Sequence, residues 1–108
     1  MTVKQLADKN GFNCIALPCP DREVKGAYIG DLLSWVMGRA EVDNAWITIM
    51  SNINVLAVAS LADVSCIILA EGVSLEDSIL ETARKKSVNI LSTELSAYEI
   101  ATRLHGNV

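Results

Sequence analysis

The residues Cys66-Ile67-Ile68-Leu69-Ala70 form an unbroken apolar run that stops at Glu71-Gly72. A short run of this kind, rich in β-branched side chains and closed by a turn signal, predicts a strand buried on both faces. Such a strand belongs inside a parallel sheet, because parallel strands are joined by crossovers whose helices cover the two faces. The rest of the chain must therefore supply helices for both sides of one sheet.

The flanking segments meet that demand. Ser74-x-x-Asp77 is a capping-box variant ahead of a stripe of Leu75, Ile79, Leu80 and Ala83, with Arg84, Lys85 and Lys86 complementing the dipole at the far end. Asn89 to Leu91 predicts the next strand, and Ser96-x-x-Glu99 caps a closing helix that buries Ile100, Ala101 and Leu104. Upstream, Ala45 to Met50 predicts a strand, and Ser51-Asn52-Ile53-Asn54 supplies caps for a helix over Val55 to Ala62. That helix is apolar on nearly every side, which predicts a central, covered position.

From Ala45 onward strand and helix alternate with short connections, so parallel strands with right-handed crossovers follow. The amino-terminal part is less regular. Thr2-x-x-Gln5 opens a helix that Gly11 can end, Asn13 to Leu17 predicts a strand stopped by Pro18 and Pro20, and Asp21 to Lys25 reads as a charged loop. Gly26 to Gly30 predicts a brief extended segment, and Asp31 an N-cap for a helix carrying Leu32, Leu33, Val36 and Met37.

A chain of 108 residues, 51% hydrophobic and 20% charged, is expected to be a single domain over residues 1–108 with an ordinary core. Its net charge of −4 repels polyanions, so neither nucleic acid nor an anionic membrane is expected as a partner. Met1 to Leu6 lacks the pattern of a secretory signal, and the apolar stretch from Val55 to Ala70 is broken by Ser60, Asp63 and Ser65, short of the roughly 20 apolar residues of a membrane span. Cys14, Cys19 and Cys66 are an odd set of thiols, which fits a reducing, cytoplasmic location. No metal is expected, since Cys14, Cys19, Cys66 and the single His105 lack paired-ligand spacing.

Catalytic patterns are missing. No Gly-Lys pair exists for a phosphate loop, and Gly26-x3-Gly30 lacks the third glycine of a dinucleotide fingerprint. His105 is explained by a helix C-terminus, and Ser34, Ser60, Ser65 and Ser92 have no base beside them in sequence. Glu94 and Glu99 are explained as capping or solvated carboxylates. The chain is thus expected to be no enzyme and to use no cofactor.

Position offers a better guide than motif. In open α/β sheets, ligands bind beyond the carboxyl ends of the strands, near helix amino termini. Three such ends supply Ser51, Asn52 and Asn54; Glu71 and Gly72; and Ser92, Thr93 and Glu94. Together they are expected to form a recess for a small polar ligand. Local helix capping competes for the same side chains.

Four segments, Gly26–Ser34 (GAYIGDLLS), Ala45–Ile49 (AWITI), Asn54–Asp63 (NVLAVASLAD) and Ile90–Glu94 (ILSTE), together resemble the DRTGG domain family, in the same order across Cys14 to Leu104. Members of that family form the middle region of some phosphate acetyltransferases, lie beside CBS-domain pairs, and are similar to the amino-terminal domain of HPr kinase/phosphorylase. The resemblance implies a three-layer α/β/α sandwich with a mainly parallel sheet, like that HPr kinase domain, and a regulatory, non-catalytic role. As a stand-alone copy it implies a partner enzyme or a kinase-like ATPase. The family's Asp-Arg pair falls near Ser51-Asn52 and its Gly-Gly at Glu71-Gly72, so this chain keeps only the final glycine. Losing that arginine removes a bidentate partner for phosphate or carboxylate.

Two functional expectations follow. The first is a sensing domain that binds a small polar metabolite, with nucleotides as one class, and passes its occupancy to a partner. The second is a homodimeric adaptor without a small-molecule ligand, with Trp35 or Trp46 in its interface, tryptophan being enriched at interface hot spots.

Overall fold

In the computed structural model, which describes residues 1–108, the chain opens with helix α1 (Val3–Asn10). Thr2 and Gln5 complete a reciprocal capping box, and Gly11 ends the helix in the left-handed region at φ 69°, which glycine adopts without steric cost. There follow β1 (Asn13–Ala16), β2 (Ala27–Ile29), α2 (Leu33–Arg39), β3 (Ala45–Thr48), α3 (Asn54–Ala62), β4 (Cys66–Leu69), α4 (Asp77–Lys85), β5 (Ile90–Ser92) and α5 (Ala97–Leu104).

The strands form one sheet in the order β1-β5-β4-β3-β2. β2 through β5 run parallel, and β1 closes one edge antiparallel to β5 with an irregular register between Cys14 and Ala16. Every residue of β3 and β4 is buried, as an apolar run in the middle of a sheet requires. Strand alternation divides the core. Trp46, Ile67, Leu69 and Ile90 join the layer of α2, α3 and α4, while Ala45, Ile47, Ile68 and Leu91 join that of α1 and α5. The result is the three-layer α/β/α sandwich with a mainly parallel sheet.

The long loop between β1 and β2 is pinned to the amino ends of the strands by buried polar groups. Asn89 Nδ2 donates to the carbonyls of Cys19 at 2.7 Å and Ser65 at 3.0 Å, and its Oδ1 accepts from the Cys19 amide at 2.9 Å. The Ser65 hydroxyl lies against the Glu23 and Asp43 carbonyls. Arg22 pairs with Asp43 at 3.1 Å and Asp63 at 2.8 Å, clamping two turns whose Asp residues both have positive φ. Burial pulls the Arg22 pKa down, but hydrogen bonds and charge from Asp63 and Asp43 outweigh it and leave it raised.

Four expectations from sequence need correction. Asp31 does not cap α2, whose N-cap is Leu32 with no side-chain bond; its carboxylate accepts instead from the Thr48 hydroxyl and the Ile49 amide. α3 is not covered all round, because the α/β/α stack ends with the α3 layer; Leu61 is 70% exposed and Ile53, just before the helix, 55%. α4 begins at Asp77 with N-cap Glu76, leaving Ser74 outside the helix. Trp46 cannot be an interface residue of the folded chain: it is fully buried, and its Nε1 donates to the Gly30 carbonyl at 2.8 Å. No helix is long and apolar enough to cross a membrane.

Candidate functional site at the carboxyl ends of the parallel strands

The ends of β3, β4 and β5 lie side by side because the ladder continues past the strands. The Ala70 amide donates to the Thr48 carbonyl, the Thr93 amide to the Leu69 carbonyl and the Gly72 amide to the Thr93 carbonyl, each at 3.0 Å. The Glu71 amide also donates to the Leu95 carbonyl at 2.9 Å. Gly72 and Thr93, drawn from two different expected ligand segments, are therefore direct neighbours.

The turn after β4 requires its glycine. Glu71 and Gly72 both have positive φ, 60° and 72°, and a side chain on Gly72 would collide with the Glu94 carboxylate. Glu71, Gly72 and Glu94 are exposed, and Ser92 and Thr93 half-buried. The Thr93 hydroxyl accepts from the Leu95 amide at 3.2 Å, which leaves its proton free for another acceptor.

Beside this pair, β3 and β2 contribute a second polar unit that sequence reasoning did not select. The Thr48 hydroxyl donates to Asp31 Oδ1 at 2.8 Å and accepts from the Met50 amide at 3.2 Å. Thr48 is buried and Asp31 exposed. Asp31 stands just beyond the end of β2 and ahead of α2, a position that fits a strand-end ligand as well as a helix cap.

The segment Ser51 to Asn54 behaves differently. Asn52 Oδ1 accepts from the Asn54 amide at 2.9 Å, and the Asn52 carbonyl accepts from the Val55 amide, so Asn52 organises the start of α3. Ser51 and Asn54 are exposed and make no side-chain hydrogen bond. Of the eight expected residues, Gly72, Thr93 and Glu94 are placed in mutual contact, Glu71 and Ser92 stand next to them, and Asn52 serves its own turn.

The surface is open here. The molecule's two concavities lie elsewhere: one of about 250 Å³ at the amino ends of the strands, with Arg22, Asp63, Lys86 and Ser87 in its wall, and one of about 330 Å³ between β2 and the end of α5. The first is rimmed by a cation already shared between two aspartates. The recess expected at the strand ends is therefore not formed: the polar groups there sit on an open surface, because Asn52 turns to its own helix and the Glu94 carboxylate lies against Gly72. No three His, Cys, Asp or Glu side chains come together to hold a metal. The thiols are free, Cys14 exposed and Cys66 buried, and burial pushes the Cys66 pKa up to about 12 despite the charge of Arg22.

Against known proteins, the fold is similar to the CBS and DRTGG domains of the regulatory region of Clostridium perfringens pyrophosphatase, solved in complex with the activator diadenosine tetraphosphate. The TM-score is 0.76 at 12% identity, over 95% of this chain and 45% of that one. No curated protein matches the sequence. The chain thus spans less than half of the regulatory region that it resembles. The family model described as the DRTGG domain matches residues 24–106, which leaves α1 and β1 ahead of the matched part. Arg22, which makes the loop clamp, also lies ahead of it. With most of its length matched by that model and its architecture shared with a solved example, this chain belongs to the DRTGG domain family.

Proposed function

We propose that this chain is a non-catalytic, ligand-sensing regulatory domain that binds a small polar metabolite at the ends of β4 and β5 and thereby modulates a partner protein. The observation that carries this reading is the bond from the Gly72 amide to the Thr93 carbonyl, with the Glu94 carboxylate lying against Gly72, which joins the turns after β4 and β5 while the Thr93 hydroxyl keeps its proton for another acceptor. The solved regulatory region, which holds a nucleotide activator, supports nucleotides as the first class to test.

Charge narrows that class. The turns beyond β2 to β5 contribute Asp31, Glu71, Glu76 and Glu94 and no Lys or Arg. Carboxylates there repel phosphate and favour a ligand read through hydroxyl, amino or ring N–H groups, so nucleosides should bind better than their polyphosphates. Isothermal calorimetry with adenosine, guanosine, the matching nucleotides and acyl phosphates tests this. Binding lost in Thr93→Val and Glu94→Gln is expected; no heat with any of these would overturn the reading.

A second reading, a homodimeric adaptor, is favoured by one separate observation. Trp35 is 53% exposed, stacked under the Arg39 guanidinium at 3.8 Å, and Leu32, Ile53 and Leu61 are exposed as well. Apolar side chains of this size on one helical layer are the material of an interface.

A further inference from the structure

The two edges of the sheet are finished differently. At β1 the register is broken between Cys14 and Ala16, and Arg84 Nη2 donates to the Ile15 carbonyl at 3.0 Å. An irregular, capped edge resists pairing with another strand. At β2 nothing comparable is found. The segment Gly26 to Gly30 carries no charge and no proline, and its ladder to β3 is regular.

The register states which backbone groups of β2 remain open. Gly26 accepts from the Ala45 amide and Gly30 donates to the Ile47 carbonyl, so with parallel pairing of Tyr28 to Trp46 residues 26, 28 and 30 face β3. Ala27 and Ile29 therefore turn their N–H and C=O groups away from the sheet. Neither residue makes any other hydrogen bond within the chain, and both are exposed.

We propose that the β2 edge is a self-association surface, at which β2 of a second copy pairs antiparallel about a two-fold axis through Tyr28 and joins the two sheets into one. The occupant is a second copy because the open groups are self-complementary. Rotation about Tyr28 places Ala27 opposite Ile29 and Ile29 opposite Ala27, a hydrogen-bonded pairing on each side of the axis that satisfies every open group of both strands.

A three-residue ladder alone is far smaller than the roughly 800 Å² per partner of a stable dimer. The flanking helices extend it. α2, the crossover from β2 to β3, shares one core cluster with Tyr28, and α5 packs on β2 and β3 from the other face. The same rotation brings each helix towards its counterpart. It closes over the hollow of about 330 Å³ beside Ile29, Leu104 and His105.

This inference rests on the dimer reading above and names its interface, so the test separates the two. Sedimentation equilibrium over micromolar to millimolar concentration is combined with amide hydrogen exchange of the full chain. A dimer is expected, with the Ala27 and Ile29 amides protected at high concentration and exchanging freely at low concentration. Ile29→Pro removes one outward N–H that β3 does not use, and should yield a folded monomer. A dimer in which both amides exchange freely at every concentration overturns the β2 edge and leaves the dimer reading standing. A monomer throughout the range overturns both. Should Ile29→Pro fail to fold, exchange in the unmodified chain decides the matter alone.

Discussion

Gly72 donates its amide proton to the carbonyl of Thr93 at 3.0 Å, and the Glu94 carboxylate occupies the space that a side chain on Gly72 would need. One backbone bond thus ties the turn after β4 to the turn after β5. Residue 72 holds a left-handed φ of 72° there, which glycine adopts without steric cost.

Gly72→Ala is therefore expected to destabilise the fold by about 1–2 kcal/mol from the left-handed backbone, while the exposed Glu94 carboxylate swings aside at little cost. Chemical denaturation of Gly72→Ala, Glu94→Ala and the double variant checks this. The double variant should retain the backbone cost, with the two single effects close to additive.

The two tryptophans should behave oppositely. Trp46 is fully buried with its indole N–H bonded to Gly30, and Trp46→Ala should cost about 3–5 kcal/mol. Trp35→Ala, on the exposed face of α2, should change the stability of the folded monomer by less than about 1 kcal/mol. Urea melts at a concentration low enough to keep the chain monomeric distinguish the pair.

Much of this frame was legible beforehand because local signals agreed with it. The run from Cys66 to Ala70 announced a doubly covered strand, the Thr2 and Ser96 capping boxes marked two helix starts, and Gly11 marked a helix end. What escaped depended on tertiary partners. Asp31 met the pattern of an N-cap, yet its carboxylate found Thr48 on the adjacent strand. α3 looked wholly covered because its composition is apolar, whereas composition does not reveal that the layer above the helix is missing. The antiparallel β1 at the far edge leads into a loop held by Asn89 at Cys19 and by Ser65 at Glu23, partners that lie far away in sequence. At the site, Gly72 and Thr93 both stand at strand ends, and their contact follows from β4 pairing with β5; Asn52 stands at a strand end too but serves its own helix.

Stability should fall in alkaline solution through Cys66. Its thiol is raised from an ordinary 9.0 to about 12 by burial, so the folded state holds its proton after the unfolded chain has lost it. This contribution is intact below pH 9 and is lost between pH 9 and 12, at up to about 1.4 kcal/mol per pH unit. Unfolding measured from pH 7 to 11 should decline less steeply in Cys66→Ala, once differences at neutral pH are subtracted. Cys14, which is exposed, should react with a thiol reagent at neutral pH while Cys66 stays inert until the chain unfolds.

The claim that polar groups beyond β4 and β5 read a metabolite is tested most directly by following the backbone amides in a two-dimensional NMR titration with adenosine and guanosine. The account predicts saturable shifts centred on Gly72, Thr93 and Glu94 and spreading to Thr48. Shifts confined to Arg22, Lys86 and Ser87, or to His105 and its neighbours, would contradict it.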